Sequence, residues 1–268
     1  MTPEEIVALA RNPGRPGIVD YIGALFTDFF EQRGDRASRE DGSILGGIAR
    51  YHGQPVTVLG HRKGKDLEEN LRCNFGMPGP EGYRKARRIL EAAEKFGRPV
   101  ITFVDTPGAY PGKEAEEQGQ GEAIARCIAE MSGLTVPVVC VVTGEGGSGG
   151  ALALAVGNRV LMLENAIYSV LSPEGFASIL WKDASRSGEA CGVMKLTAQD
   201  LLEGGVIHKV LPEPPGGAHT DWAAVFQSVD RGIFEALTEL GKCKGTVLRQ
   251  QRLAHFRGIG QPRKERKK

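Results

Sequence analysis

A chain of 268 residues with 41% hydrophobic and 25% charged residues has an ordinary globular composition and room for one large α/β domain or two small ones. Its formal net charge of +1 excludes a chain-wide field for nucleic acid. No run of about 18 apolar residues marks a membrane span, and Met1-Thr-Pro-Glu-Glu-Ile6 lacks a charged-then-apolar signal pattern, so a soluble, cytoplasmic protein is expected. Cys73, Cys127, Cys140, Cys191 and Cys243 show no C-x-x-C spacing and lie away from paired histidines, which argues against zinc in this chain and against a disulfide framework. Cys140 reads as a small core residue. His52, His61, His208, His219 and His255 are scattered and read as structural.

In chain order, Thr2-Pro-Glu-Glu starts a helix with a cap, a proline and early acids. The loop Asn12-Pro-Gly-Arg-Pro-Gly17 breaks it. A second helix is expected from Ile18 to Phe30, with an apolar face destined for other subunits. Gly34 to Gly42 reads as a charged, solvated loop. Ile44–Arg50 and Val56–Leu59 form a hairpin, and Arg62, Lys63 and Lys65 follow it as either a plain exposed loop or an anion contact. After an irregular stretch from Asn70 to Pro80, Glu81–Phe96 is an amphipathic helix closed by Gly97.

Val100-Ile-Thr-Phe-Val104 reads as a buried strand ending in the loop Asp105–Gly112, and one long helix is expected from Glu116 to Leu134. The same strand-then-glycine unit recurs at Val136-Pro-Val-Val-Cys-Val-Val142, so the two strands should be parallel and the two loops should share one sheet edge. Arg159–Leu163 is a third strand. The chain from Trp181 to Ala190 reads as exposed and partly helical. Thr197–Glu203 is a capped helix, Val206–Leu211 a short strand and Trp222–Leu240 the final helix, before a basic tail at Gln261–Lys268.

Five of the ten residues in Thr143-Gly-Glu-Gly-Gly-Ser-Gly-Gly-Ala-Leu152 are glycine, between a β-branched strand and an alanine-rich helix start. Such a turn aims main-chain N–H groups at negative charge. Gly146-Gly-Ser-Gly-Gly150 fits a nucleophile elbow, with His208 and His219 downstream in the required order. Gly144-Glu-Gly-Gly-Ser-Gly149 fits a dinucleotide fingerprint with Glu164 as its acid, although it stands behind several strands instead of after the first. A third reading is an oxyanion hole for an enolate, with one donor from the Asp105–Gly112 loop and another from the Gly146–Gly150 turn. A fourth is a turn that uses glycine only for close packing.

Arg72-Cys-Asn-Phe-Gly-Met-Pro-Gly-Pro-Glu-Gly-Tyr-Arg-Lys-Ala86, Phe103–Gly112, Val141–Ala153, Tyr168–Gly175 and Glu213-Pro-Pro-Gly-Gly-Ala-His219 resemble the alpha subunit of bacterial acetyl-coenzyme A carboxylase carboxyltransferase, a member of the crotonase superfamily. The resemblance implies a crotonase-like (ClpP/crotonase) α/β fold of repeated β-β-α units with helices packed around the sheets. It divides the chain into an N-terminal helical segment (1–34), a carboxyltransferase domain (35–240) and a C-terminal extension (241–268). It implies transfer of a carboxyl group from carboxybiotin, carried on a separate biotin carboxyl carrier protein and charged by biotin carboxylase, to acetyl-CoA, giving malonyl-CoA for fatty-acid synthesis. It also implies a homologous beta partner that bears the zinc, in an α2β2 assembly. Catalytic roles then fall to Gly146, Gly147, Gly149 and Gly150, the last pair stabilising charge on the ureido oxygen, and substrate contacts to Gly108, Ala109, Tyr110, Ser148, Glu174 and Gly175. A side chain at Gly150 would stand where biotin approaches. The alternatives are a stand-alone acyl-CoA hydratase or isomerase using Glu145 or Glu174, and a noncatalytic scaffold.

Overall fold

The computed structural model describes residues 1–261, so residues 262–268 of the basic tail lie outside the described residues. Helix α1 (Pro3–Ala10) starts with a capping box: the Thr2 hydroxyl accepts the Glu5 N–H and the Glu5 carboxylate accepts the Thr2 N–H. Helix α2 (Ile18–Leu25) is shorter than expected. Phe26 turns extended, and Thr27–Glu31 becomes strand β1, paired antiparallel with β2 (Ile44–Tyr51). Phe26 is drawn into the core beside Tyr51 and Phe103, and the aromatic stretch that follows suits a strand. The apolar face of α2 is buried inside this chain, with Tyr21 stacked on Phe103 at 4.9 Å between ring centroids. The expected burial of this face in another subunit is therefore corrected.

β2 pairs with β3 (Gln54–His61) through His52-Gly53, both at positive φ, as a tight hairpin requires. The loop before β2 is less solvated than its charges suggest. The buried Asp35 carboxylate accepts the N–H groups of Ala37, Ser38 and Arg39 and meets Arg84 at 2.9 Å. Helix α3 (Leu67–Arg72), capped by Asp66, runs into the start of the stretch expected to be irregular from Asn70. Helix α4 (Pro80–Lys95) is closed by Gly97 at φ +64°. Strand β4 (Val100–Thr106) follows. The next helical stretch splits at left-handed Gly119 into α5 (Lys113–Glu117) and α6 (Gln120–Gly133). Buried Gln120 donates to the carbonyls of Pro78 and Tyr110, which explains the break: it ties the start of α6 to the loop after β4.

Strand β5 (Val138–Gly147) runs into the short helix α7 (Ser148–Leu152), followed by β6 (Arg159–Leu163), β7 (Ile167–Ser169), α8 (Pro173–Trp181) and α9 (Ser187–Val193). Then come α10 (Ala198–Glu203), β8 (Lys209–Leu211), α11 (Trp222–Leu240) and α12 (Gly245–Gly258). The sheet order is β1-β2-β3-β4-β5-β6-β8, with β7 paired to the far end of β5. From β3 onward every named pairing is parallel. The valines at 138, 139, 141 and 142 are wholly buried, so β5 is covered on both faces.

Helix α12 was not expected after Leu240. Its sequence is rich in arginine and glutamine, and long-range bonds hold it: Asn158 Nδ2 donates to the Leu248 carbonyl at 2.8 Å, and buried Arg252 reaches Asn158 and the Val136 carbonyl.

Candidate active site at the glycine turn

Because β3, β4 and β5 are parallel, the loops after them open at one edge. There the two glycine loops lie main chain against main chain. A Cβ on Gly147 would collide with the Pro107 carbonyl and the Gly108 nitrogen, and one on Gly150 with the Ala109 nitrogen and, at 2.8 Å, with the Tyr83 hydroxyl. A Cβ on Gly146 would stand 2.7 Å from the Tyr168 ring. Close packing therefore accounts for three of these glycines. Gly149 is different: an added Cβ would meet only Ile124, at 3.7 Å.

Thr106 shapes the first loop, its hydroxyl accepting the Gly108 N–H at 3.0 Å and donating to the Gly108 carbonyl at 2.8 Å. Gly108 sits at φ +146°, which only glycine adopts easily. The Tyr110 N–H donates to the Pro78 carbonyl, whereas the Ala109 N–H has no acceptor among the described residues. Across from it, α7 begins at Ser148, so its first-turn N–H groups lack intrahelical acceptors. Ala109 and the Ser148–Gly150 turn are thus brought together as main-chain donors.

A chain of ions surrounds the turn. Lys63 Nζ donates to Asp105 at 2.7 Å and to Glu145 at 3.0 Å, and Asp105 also accepts the Glu145 N–H at 2.9 Å. Arg11 bonds the other Glu145 oxygen at 2.7 Å and Glu174 at 2.7 Å. Arg11 holds the Glu174 carboxyl below the usual range, and Asp105 with Glu145 raises the Lys63 pKa against the opposing effect of burial. Buried Arg15 bridges the Thr143 carbonyl and Glu213, 2.9 and 2.6 Å away, tying the root of the turn to the Glu213–His219 loop. Burial pushes the Glu213 carboxyl up, and the Arg15 guanidinium outweighs it to hold the pKa low. Gly175, one residue beyond Glu174, gives its N–H to the Ser172 hydroxyl as part of the α8 cap.

The competing motifs lose their partners. Ser148 is exposed at φ +56°, while His208 accepts the Val160 N–H and stacks on His255, and His219 packs by Gly14. Glu164, the acid of the dinucleotide pattern, accepts the Glu213 N–H at 3.2 Å. The basic residues after β3 offer no open anion contact: Arg62 pairs with Glu69, Lys63 with Asp105 and Glu145, and Lys65 with Asp20. Among the described residues, no group of three or more histidines, cysteines, aspartates or glutamates could hold a metal, and no helix is long and apolar enough to cross a membrane.

Beside Ser148 and Gly149 opens a groove of about 480 Å³, walled by Leu152, Tyr168, Val170 and, from α12, Phe256. The family described as acetyl co-enzyme A carboxylase carboxyltransferase-like matches residues 1–260. The chain belongs to this carboxyltransferase family.

Its relatives include the acetyl-coenzyme A carboxylase carboxyl transferase subunit alpha of Geobacillus sp. (strain WCH70), 58% identical over 97% of this chain and 80% of that one. The same subunit of Bacillus velezensis is 57% identical over the same shares of the two chains. Among solved structures, transcarboxylase 12S with methylmalonyl-coenzyme A bound aligns with a TM-score of 0.70 at 18% identity, over 99% of this chain and 46% of that one. A Pseudomonas malonate decarboxylase hetero-tetramer in complex with coenzyme A aligns at 0.66 and 18% identity, over 79% and 84%. The carboxyltransferase therefore has the crotonase-like fold that the resemblance implied. Arg11, Lys63, Asp105 and Arg15 escaped the sequence reading, because their partners lie far along the chain. Only the three basic charges after β3 hinted at one of them.

Proposed function

We propose that the carboxyltransferase acts as the alpha subunit of acetyl-CoA carboxylase, moving the carboxyl group from carboxybiotin on a carrier protein to acetyl-CoA to give malonyl-CoA. The observation that carries this reading is the pairing of Ala109 with the Ser148–Gly150 turn at the mouth of the groove beside Gly149. The groove is lined mainly by apolar side chains, with Ser148 and Ser169 beside Gly149, which supports its use for a compact, largely apolar ring such as that of biotin. Biotin supplies the carboxyl group and leaves a ureido oxygen carrying negative charge. This chain's contribution is to hold that oxygen with the N–H groups of Gly149 and Gly150, each effective donor worth roughly 3–4 kcal/mol. The apolar walls exclude water, which strengthens those bonds.

A zinc-bearing beta subunit in an α2β2 assembly completes the site, and the chain works in the cytoplasm beside biotin carboxylase and the carrier protein. Val170, Ile179, Leu180 and Val193 form a strongly exposed apolar set around α8 and α9, which supports a docked partner. The hydratase alternative is disfavoured, because both carboxylates it would use, Glu145 and Glu174, are held by Arg11 and Lys63. Mixing the purified chain with the beta partner, a carboxylated carrier and acetyl-CoA tests the reading. Malonyl-CoA should form with the partner and not without it. Full activity of this chain alone, or hydration of an enoyl-CoA, would refute it.

A further inference from the structure

The two donor loops do not meet only through glycine. Asp105 precedes Thr106, the residue whose hydroxyl grips the Gly108 peptide, and Glu145 stands just before the turn itself. One ammonium, that of Lys63 in the loop just after β3, bonds both carboxylates at 2.7 and 3.0 Å. Gly144 permits the arrangement, since a Cβ there would run into the Asp105 carboxylate. Backbone donors stabilise a developing oxyanion only at the right spacing, and small misplacements cost rate.

We propose that Lys63 is a positioning residue for carboxyl transfer, clamping Asp105 to Glu145 and thereby setting the spacing of the Ala109 and Gly149 N–H donors. This rests on the proposed function and on reading the Ala109 N–H as a further donor that faces the Gly149 and Gly150 pair from the other loop. Without the ammonium, Asp105 and Glu145 face each other as like charges and push the loop roots apart. The other charged and titratable groups here are Arg11, which stays on Glu145, Glu174 behind Arg11, and the buried His61 and Tyr21.

The test uses the complex assembled with the beta partner, assayed for malonyl-CoA-dependent carboxylation of biocytin. Lys63→Met should lower kcat at least about tenfold and leave both KM values within about threefold. Lys63→Arg should recover to within about threefold of the parent kcat. Should Lys63→Met fail to assemble, Asp105→Ala, which leaves Lys63 on Glu145, should show the same loss in kcat alone. An unchanged kcat with only a lower melting temperature would overturn the proposal. So would a rise in one KM alone. If removing the Gly149 donor costs rate while Lys63→Met does not, this proposal fails and the reading of the turn stands. If removing that donor costs nothing, the reading itself fails.

Discussion

The Cα of Gly150 rests against the peptide nitrogen of Ala109, with no room between them for a side chain. This contact reassigns the glycine expected to lie in the path of biotin. A substitution at Gly150 acts first on the joint between the two loops. Gly150→Ala should lower unfolding stability by about 1–3 kcal/mol through overpacking, whereas Gly149→Ala, facing open space, should change it by less than about 1 kcal/mol. Urea unfolding of both variants checks the ranking, and equal midpoints would show that the loops move apart freely.

Ser148 holds φ +56°, a conformation that is strained for a side chain and easy for glycine. Ser148→Gly should therefore raise stability by about 1 kcal/mol, and Ser148→Ala should leave the strain in place. In the assembled enzyme Ser148→Ala should reduce the rate less than about tenfold, roughly 1.4 kcal/mol, because every main-chain donor remains. A dead but folded and assembled Ser148→Ala enzyme would revive the serine-nucleophile reading.

Stability should weaken below neutral pH through the histidine pair under α12. Burial, the neighbouring His255 and Arg159 lower the His208 pKa to about 4, with Glu239 opposing, and burial also lowers that of His255. A base depressed in the folded state contributes stability above its unfolded pKa of about 6.5, and that contribution is lost as pH falls toward the folded value. Denaturation midpoints should thus fall between about pH 7 and pH 5. His208→Asn keeps an acceptor for the Val160 N–H and should flatten this slope. A slope identical to the parent would assign the effect to other groups.

Leu180 and Ile179 are 61% and 60% exposed near the C-terminal end of α8, the helix whose first turn carries Glu174. Leu180→Asp should leave the isolated chain as stable as the parent, within about 0.5 kcal/mol, and weaken its assembly with the beta partner at least about tenfold. Analytical ultracentrifugation of the mixture reads the outcome. Undiminished assembly would move the docking face elsewhere.

What the sequence shows plainly are features carried by adjacent residues. Val136–Val142 reads as a strand covered on both faces, as β5 is from Val138, and Thr2 and Thr197 read as the caps they are. Helix α2 was overextended because Phe26 and Phe29 continue its apolar spacing, and only pairing with β2 turns that stretch into a strand. Helix α12 was missed because its support comes from Asn158 and Val136, far back in the chain. The ion chain escaped for the same reason: Lys63 meets partners 42 and 82 residues away, and no local pattern marks them. The glycines looked uniform in sequence, yet the fold uses Gly146, Gly147 and Gly150 for packing and leaves Gly149 open.

The claim that main-chain N–H groups of this turn hold the ureido oxygen is tested most directly by deleting one donor without adding a side chain. Replacing the Gly149 amide by an ester, with glycolic acid in place of glycine, removes only that N–H. In the assembled complex, kcat/KM for biocytin should fall at least about a hundredfold, roughly 2.7 kcal/mol, with the KM for malonyl-CoA unchanged. A value within about threefold of the parent would contradict the account.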